Sequence, residues 1–354
     1  MREFGSEHPA IILPDNYFSS FEEFDREVIY LRSGRESLLY VSCNCKPGKD
    51  AVILFPAYCC WSMSAPFVKS GWSIVYYRIN EDLTVDLDYL IELLKHIHVD
   101  AILTMNFFGS SYTNEAIHMV KDFNPDIIVI EDFSHCTFSL SSIFNPLVDY
   151  YVSSLRKSIG ICDGAVVLSK HPTNKHYIQE EQPEFSDRRI NAQLKKGHYL
   201  FSKDQNEKSI FLSEIRECES ILNGFNAVRP ISQTAMCMLK QINGKHIANA
   251  RRVNMKHLMR LLETKVDMVP GLERSLVGAP FSLPIVVRNR DEIQKKLAKC
   301  GVYAPVLWPI SEEARRVCEN SAKMADSMLS LPIDQRYDWD DIEDIAQIVT
   351  KYCV

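Results

Sequence analysis

The chain lacks most of the features that settle a protein's class at a glance. None of its eleven cysteines forms a C-x-x-C pair. Cys43-x-Cys45 and Cys59-Cys60 have no second pair at zinc-ligand spacing. There is no His-x-x-x-His and no dense carboxylate cluster, so no metal centre is expected. The 40 Lys and Arg are scattered among 46 Asp and Glu, for a net charge of −6. Neither nucleic acid nor an anionic membrane is therefore expected as a partner. The longest apolar stretch, Ala51 to Val68, is interrupted by Pro56, Pro66 and polar groups, too broken for a membrane span. No apolar run follows Met1-Arg2-Glu3-Phe4-Gly5, so no secretory leader is expected. Reduced thiols and a cytoplasmic location follow as expectations. Internal repeats, low-complexity tracts and flexible linkers are also missing.

What is present is the composition of an ordinary globular enzyme: 354 residues, 46% hydrophobic and 24% charged. That length suits one large domain with a smaller one. From about residue 50 to 170, apolar strands alternate with amphipathic helices. Strands are expected at Ala51–Phe55, Ser73–Tyr77, Ala101–Met105, Ile127–Ile130, Tyr150–Ser153 and Ala165–Leu168. Helices are expected from Tyr58 to Ser70, closed by Gly71, from Leu87 to Ile97 with Asp86 as N-cap, and from Asn114 to Phe123. Continuous apolar strands between helices mean an α/β fold with a mostly parallel sheet covered on both faces. Residues 171 to 225 are polar, with helices expected. A long helical pattern then runs from Ser232 to Leu262, interrupted near Asn243-Gly244. The last hundred residues read as a small α+β unit: strands at Ser282–Val287 and Val302–Val306, helices at Asp291–Lys299 and Asp338–Tyr352. The expected division is a large domain over 1–245 and a small C-terminal domain over 246–354.

Ligands of such sheets bind at the carboxyl ends of strands. Two charged residues fall there, Asp132 after one strand and Lys157 just beyond another. A lysine in that place is an odd solvated charge, although a structural ion pair with Asp163 nearby would also accommodate it. Ser154 stands three residues before it. A lysine for a Schiff base, an anion for a ring nitrogen and donors for a phosphate are what pyridoxal phosphate (PLP) chemistry requires. Upstream, Ser33-Gly34-Arg35-Glu36 has capping-box spacing, and Gly34 leaves the first helical N–H groups open to an anion. An ordinary capped helix satisfies the same pattern. Asp132 could equally be a helix N-cap, and His135 a satisfied buried histidine.

Taken in order, these landmarks resemble the DegT/DnrJ/StrS aminotransferases, the sugar-aminotransferase branch of the fold type I PLP-dependent transferases. The resemblance runs from Ser33-Gly34-Arg35 through Phe55-Pro56-Ala57-Tyr58 with Gly71, Asn106-Phe107-Phe108-Gly109 and Glu131-Asp132-Phe133-Ser134-His135. It continues with Ser154-Leu155-Arg156-Lys157, Asp163-Gly164 and Leu331-Pro332-Ile333-Asp334-Gln335-Arg336-Tyr337. It implies an aspartate-aminotransferase-like large domain and a homodimer. Lys157 would be the Schiff-base lysine and proton shuttle, and Asp132 the partner of the pyridine nitrogen. His135 would lie near the 3-oxygen, with Ser33, Gly34, Arg35 and Ser154 around the phosphate. A polar side chain from the neighbouring subunit would also reach the phosphate, with Asn226 and Ser232 as candidates. The family's stacking aromatic falls on Cys60, leaving Cys60 or the adjacent Trp61 to face the cofactor. Asn106 stands where many members have His. The implied activity is transfer of an amino group from Glu or Gln to a keto acceptor, a keto sugar on a nucleotide. Dehydration, decarboxylation or desulfuration on the same scaffold, or a binding protein without transamination, are the alternatives.

Overall fold

The computed structural model describes residues 2–10, 21–109, 113–224, 226–276 and 278–353. Its centre is a seven-stranded sheet in the order β1-β7-β6-β5-β4-β2-β3. The strands are β1 (Glu27–Leu31), β2 (Val52–Pro56), β3 (Ser73–Tyr77), β4 (Ala101–Met105), β5 (Ile128–Asp132), β6 (Tyr150–Ser153) and β7 (Ala165–Ser169). The β3-β2-β4-β5-β6 block is parallel, and β7 runs antiparallel to both its neighbours. All five residues of β4 are buried, as a strand covered on both faces requires.

The covering helices are α1 (Gly34–Asn44), α2 (Trp61–Lys69), α3 (Leu87–His96), α4 (Asn114–Phe123) and the single turn α5 (Leu140–Ile143). Their ends follow local chemistry. Asp86 caps α3 by accepting from Tyr89 N at 3.0 Å. Gly71, at φ +77°, closes the turn after α2 with a bond from its N–H to Val68 O. Helix α2 begins at Trp61 rather than at Tyr58, because Ala57 N still bonds Tyr77 O and continues the sheet.

The polar stretch forms a helical hairpin, α6 (Pro183–Ser202) and α7 (Gln205–Gly224). After it come α8 (Gln233–Leu239) and α9 (Gly244–Leu262). The break between α8 and α9 falls at Asn243-Gly244, as the sequence indicates. Asn243 caps α9, and a Cβ on Gly244 would lie 2.8 Å from the Phe138 ring. The remaining elements are β8 (Asp267–Met268), β9 (Leu283–Val286), α10 (Arg290–Lys299), α11 (Glu312–Val317), α12 (Glu319–Ser327), β10 (Met328–Leu331) and α13 (Trp339–Cys353). Strands β10, β9 and β8 make a small antiparallel sheet in that order. The strand expected at Val302–Val306 does not form. Val302 makes one parallel bridge to Phe4, and Pro305 has no N–H to extend it.

The N-terminal residues are tied across the molecule. Phe4 is buried; its N–H bonds Gly301 O, and its carbonyl accepts from Tyr303 N. Gly5 N donates to Tyr337 Oη at 2.6 Å. No helix among the described residues is long and apolar enough to cross a membrane.

Candidate active site

The carboxyl ends of β5 and β6 lie side by side, with Asp132 paired to Val152 in register. The chain leaves β6 through Ser154 into a tight turn over Leu155–Lys157, held by Ser158 N bonding Leu155 O. Gly164, at φ +128°, donates its N–H to Arg32 O and accepts from Leu155 N, fixing that turn against the end of β1. Ser154 N in turn donates to Ser134 Oγ at 2.9 Å. The turn that carries Lys157 and the loop after Asp132 are therefore one hydrogen-bonded unit.

Asp132 is buried, and its Oδ1 accepts from Ser134 N at 2.8 Å. Its second oxygen has no hydrogen-bond partner among the described residues. Behind it, Glu131 is fully buried and accepts from Asn106 Nδ2 at 2.7 Å and from Thr113 Oγ1. Burial pushes Glu131 up to about 7 despite those bonds. The Asn106 amide thus takes part in holding the carboxyl group beside Asp132.

His135 is enclosed. Its ring stacks on Phe281 at 4.7 Å and on Trp308 at 5.4 Å, and its Nδ1 accepts from Phe108 N at 3.3 Å. Burial, with Lys157 and Arg251 nearby, holds it well below the usual histidine range. The ring is neutral, and an acceptor Nδ1 leaves its proton on Nε2.

Gly34 opens α1 directly against Ser154: a Cβ at 34 would meet Ser154 Cβ at 3.2 Å. Ser33 caps α1, accepting from Glu36 N and donating to Glu36 Oε2. Its hydroxyl is thus committed to the helix end, while Arg32 holds the same Glu36 through bonds of 2.7–3.1 Å. Arg35 and Arg156 converge on Glu219 of α7, with Arg156 at 2.7 Å and Arg35 at 3.5 Å; Arg189 joins them at 3.1 Å. Burial alone would raise the Glu219 carboxyl, but the three guanidinium groups outweigh it and bring it down to about 2. Cys60 is the N-cap of α2, buried, close enough to Arg35 to feel its charge, with Sγ 2.9 Å from Ser62 Oγ.

Lys157 lines a cavity of about 220 Å³ together with Arg156, Arg251, Phe281, His8 and Arg336. Its amine has no hydrogen bond or ion pair among the described residues. The other cations in the wall are engaged. Arg251, fully buried, donates to Gln335 Oε1, Phe281 O and Ser158 O. Arg336 grips Asp334 at 2.6 and 2.8 Å.

Lys157, Asp132, His135, Ser154, Gly34, Arg35, Ser33 and Cys60 thus all lie at or follow the carboxyl ends of strands of the central sheet. Three further residues stand apart from this group, two of them, Asn226 and Ser232, the candidates for reaching a neighbouring subunit's site. Trp61 is 61% exposed. Asn226 is exposed and accepts from Lys69 Nζ at 2.7 Å. Ser232 is buried as the N-cap of α8, its N–H on Asp163 Oδ1. Asp163, which the sequence offers as an ion-pair partner for Lys157, is thereby used elsewhere. Burial raises it to about 7. Arg251, Glu219, His8 and Trp308 are the site residues that the sequence does not reveal. Arg251 of α9 and His8 of the N-terminal segment line the cavity, Glu219 of α7 holds Arg35 and Arg156, and Trp308, in the loop after α10, stacks on His135; no local spacing marks them.

No family model matches the sequence, and no curated protein matches it. Solved structures do. PseC of Helicobacter pylori, an aminotransferase involved in pseudoaminic acid biosynthesis, is 14% identical with a TM-score of 0.65, over 99% of each chain. A DegT/DnrJ/EryC1/StrS aminotransferase of Brucella abortus is 14% identical at TM-score 0.62, over 94% of this chain and 87% of its own. NtdA of Bacillus subtilis, solved with bound pyridoxamine phosphate (PMP), is 15% identical at TM-score 0.61, over 93% of this chain and 73% of its own. The chain has their fold, type I of the PLP-dependent transferases, as the sequence pattern implies.

Proposed function

We propose that this protein is a PLP-dependent aminotransferase that moves an amino group from an amino acid, Glu or Gln, to a keto sugar carried on a nucleotide. The observation that carries the reading is the unpaired amine of Lys157, in a cavity where every other lysine or arginine in the wall is engaged. The residues present fit the cofactor. Asp132 keeps one oxygen free for a ring N–H. The α1 N-terminus at Gly34 and Ser154 lie side by side, so that helix N–H groups and a side-chain hydroxyl could reach the same phosphate.

PLP, when bound, supplies a pyridinium ring that accepts carbanion charge. The chain's own groups do the rest. Lys157 would supply the amine that holds the cofactor covalently; once released by the donor, the same amine would carry a proton between the donor's α-carbon and the cofactor carbon that bears the nitrogen. Asp132, fixed by Ser134, keeps the proton on the ring nitrogen, an effect that grows as charge develops. Neutral His135 would offer Nε2–H to the cofactor's 3-oxygen. Phe281 and Trp308, stacked about that imidazole, exclude water from this side.

The reading includes a cytoplasmic homodimer. Trp61 and Val68, 61% and 59% exposed, lie two turns apart on α2, directly after Cys60. A C2 partner on that face would place its own polar residues at the phosphate side of the site. It also includes a division near residue 245, between the sheet domain and the C-terminal unit.

The test is direct. Protein reconstituted with PLP should show the visible band of a Schiff base, which L-glutamate should bleach. Borohydride should fix the adduct on Lys157 in a peptide map. An adduct on another lysine would remove Lys157 from this role.

A further inference from the structure

The cavity beside Lys157 has a wall that comes from far away in sequence. Gly5, Ser6, Glu7 and His8 form one side of it. The segment is held firmly. Glu3 accepts from Lys196 at 2.9 Å, Lys208 at 2.6 Å and Tyr199 Oη at 2.7 Å, and Glu7 pairs with Arg189 at 2.5 Å. Arg336 donates to Ser6 O and Glu7 O.

His8 is the part of this segment that nothing else explains. Its Nδ1 is sealed from solvent and has no hydrogen-bond partner among the described residues. A buried polar atom left unpaired in a native structure calls for a reason. Burial, together with the neighbouring Arg336, pushes the imidazole down to about 3, so it is neutral at ordinary pH. The groups that face it are Arg336, Asp334 and Arg251. All three are bonded to protein partners: Arg336 to Asp334, and Arg251 to Gln335 Oε1 and backbone carbonyls.

The pocket therefore presents two open groups, an amine and a neutral imidazole. A hydroxyl would find the other ring nitrogen, Nε2, which is not sealed and has no hydrogen-bond partner among the described residues, able to bond it without any charge. The volume, about 220 Å³, falls below the roughly 300–1,000 Å³ of drug-sized ligand sites and suits one ring rather than a whole nucleotide. Ser282 and Ser330, hydrogen-bonded to each other, add further hydroxyls to the wall.

We propose that His8 is a substrate-contacting residue that hydrogen-bonds a ring hydroxyl of the keto sugar, close to the carbon that reacts at Lys157. This deepens the reading of the protein as a sugar aminotransferase and rests on it. The N-terminal segment is then part of the specificity site, and an uncharged polyol ring is the chemical class it selects.

The test uses the PLP-loaded full chain, converted to its aminated form with L-glutamate once the band and label below have been read, and thymidine-diphosphate 4-keto-6-deoxyglucose as probe. His8→Ala should weaken probe binding in calorimetry about tenfold, the worth of one neutral hydrogen bond, and the loss should fall on KM rather than kcat. His8→Asn, which keeps a donor and an acceptor, should recover most of it. Equal probe affinity in wild type and His8→Ala would overturn the proposal. So would equal losses in both variants with matching drops in Tm, the mark of a packing role. A wild-type protein that does not bind the probe would overturn it too. The Schiff-base band and the borohydride label on Lys157, read in the same samples, report on the cofactor separately.

Discussion

Lys157 and Glu219 show opposite uses of charge within one site. The lysine is kept unpaired; the glutamate is held by Arg35, Arg156 and Arg189 together. Because the folded state lowers the Glu219 carboxyl from 4.5 to about 2, its contribution to stability is present above pH 4.5. That contribution is lost as pH falls through about 2. At full strength such a drop is worth roughly 3 kcal/mol, and less for a side chain that is 32% exposed. Glu219→Gln should therefore lower Tm at pH 7, and its unfolding curve should approach that of wild type as the pH is brought toward 2. A constant difference in Tm from pH 7 to 3 would show that shape, not charge, matters at this position. Lys157, Asp132, Ser154 and Gly34 are legible in the sequence because each sits at a strand or helix end, where local patterning marks it. Glu219 is not, since it is one carboxylate among many in a polar helix, and only the fold shows that three arginines meet it. His8 is hidden for the same reason.

Elements are legible where their burial is two-sided or their caps are local. The parallel strands, Asp86 before α3 and the break at Asn243-Gly244 all carry their signals within a few residues. Strand β1 carries none. It is an edge strand whose only strand partner is β7, more than a hundred residues on, and its burial alternates weakly. Strand β10 is hidden by following α12 without a break. Its partner β9 contains Pro284, tolerated because β8 pairs only with Ile285 and Val286 and leaves the other side of Pro284 open. At the start of α1 the packing is tight enough to predict from. In Gly34→Ala the new methyl would sit 3.2 Å from Ser154 Cβ, so the serine must give by a few tenths of an ångström. Helix propensity gains little at a first-turn position, and the fold should survive. PLP retention should fall about tenfold if one phosphate hydrogen bond is lost. Dialysis followed by absorbance measures it; unchanged retention would place the phosphate elsewhere.

For the whole molecule the decisive surface is the outer face of α2. In a single chain Trp61 is exposed, so the roughly 3–5 kcal/mol expected on truncating a buried tryptophan does not apply to the isolated fold. At 61% exposure most of the residue is left for a second copy to cover. Trp61→Asp should leave far-ultraviolet circular dichroism unchanged, weaken dimerisation at least tenfold by sedimentation, and reduce PLP retention with it. A wild-type protein that sediments as a monomer and still turns over would remove the dimer from the mechanism. Cys60 is buried just before this face. The sequence indicates both residues and does not decide between them; their different exposure assigns Cys60 to the inner side and Trp61 to the outer.

The bond from Gly5 N to Tyr337 Oη joins positions 332 residues apart. On a ribosome adding roughly 5–20 residues per second, Gly5 waits on the order of 20–60 s for its partner to be made. Phe4, buried at the end, spends that interval without Val302 or Tyr337 to cover it. The sheet and its Lys157 turn are complete by then, while the wall carrying His8 is still loose. Synthesis thus completes the strand ends that carry Asp132 and Lys157 before the cavity wall of residues 5–8 can settle.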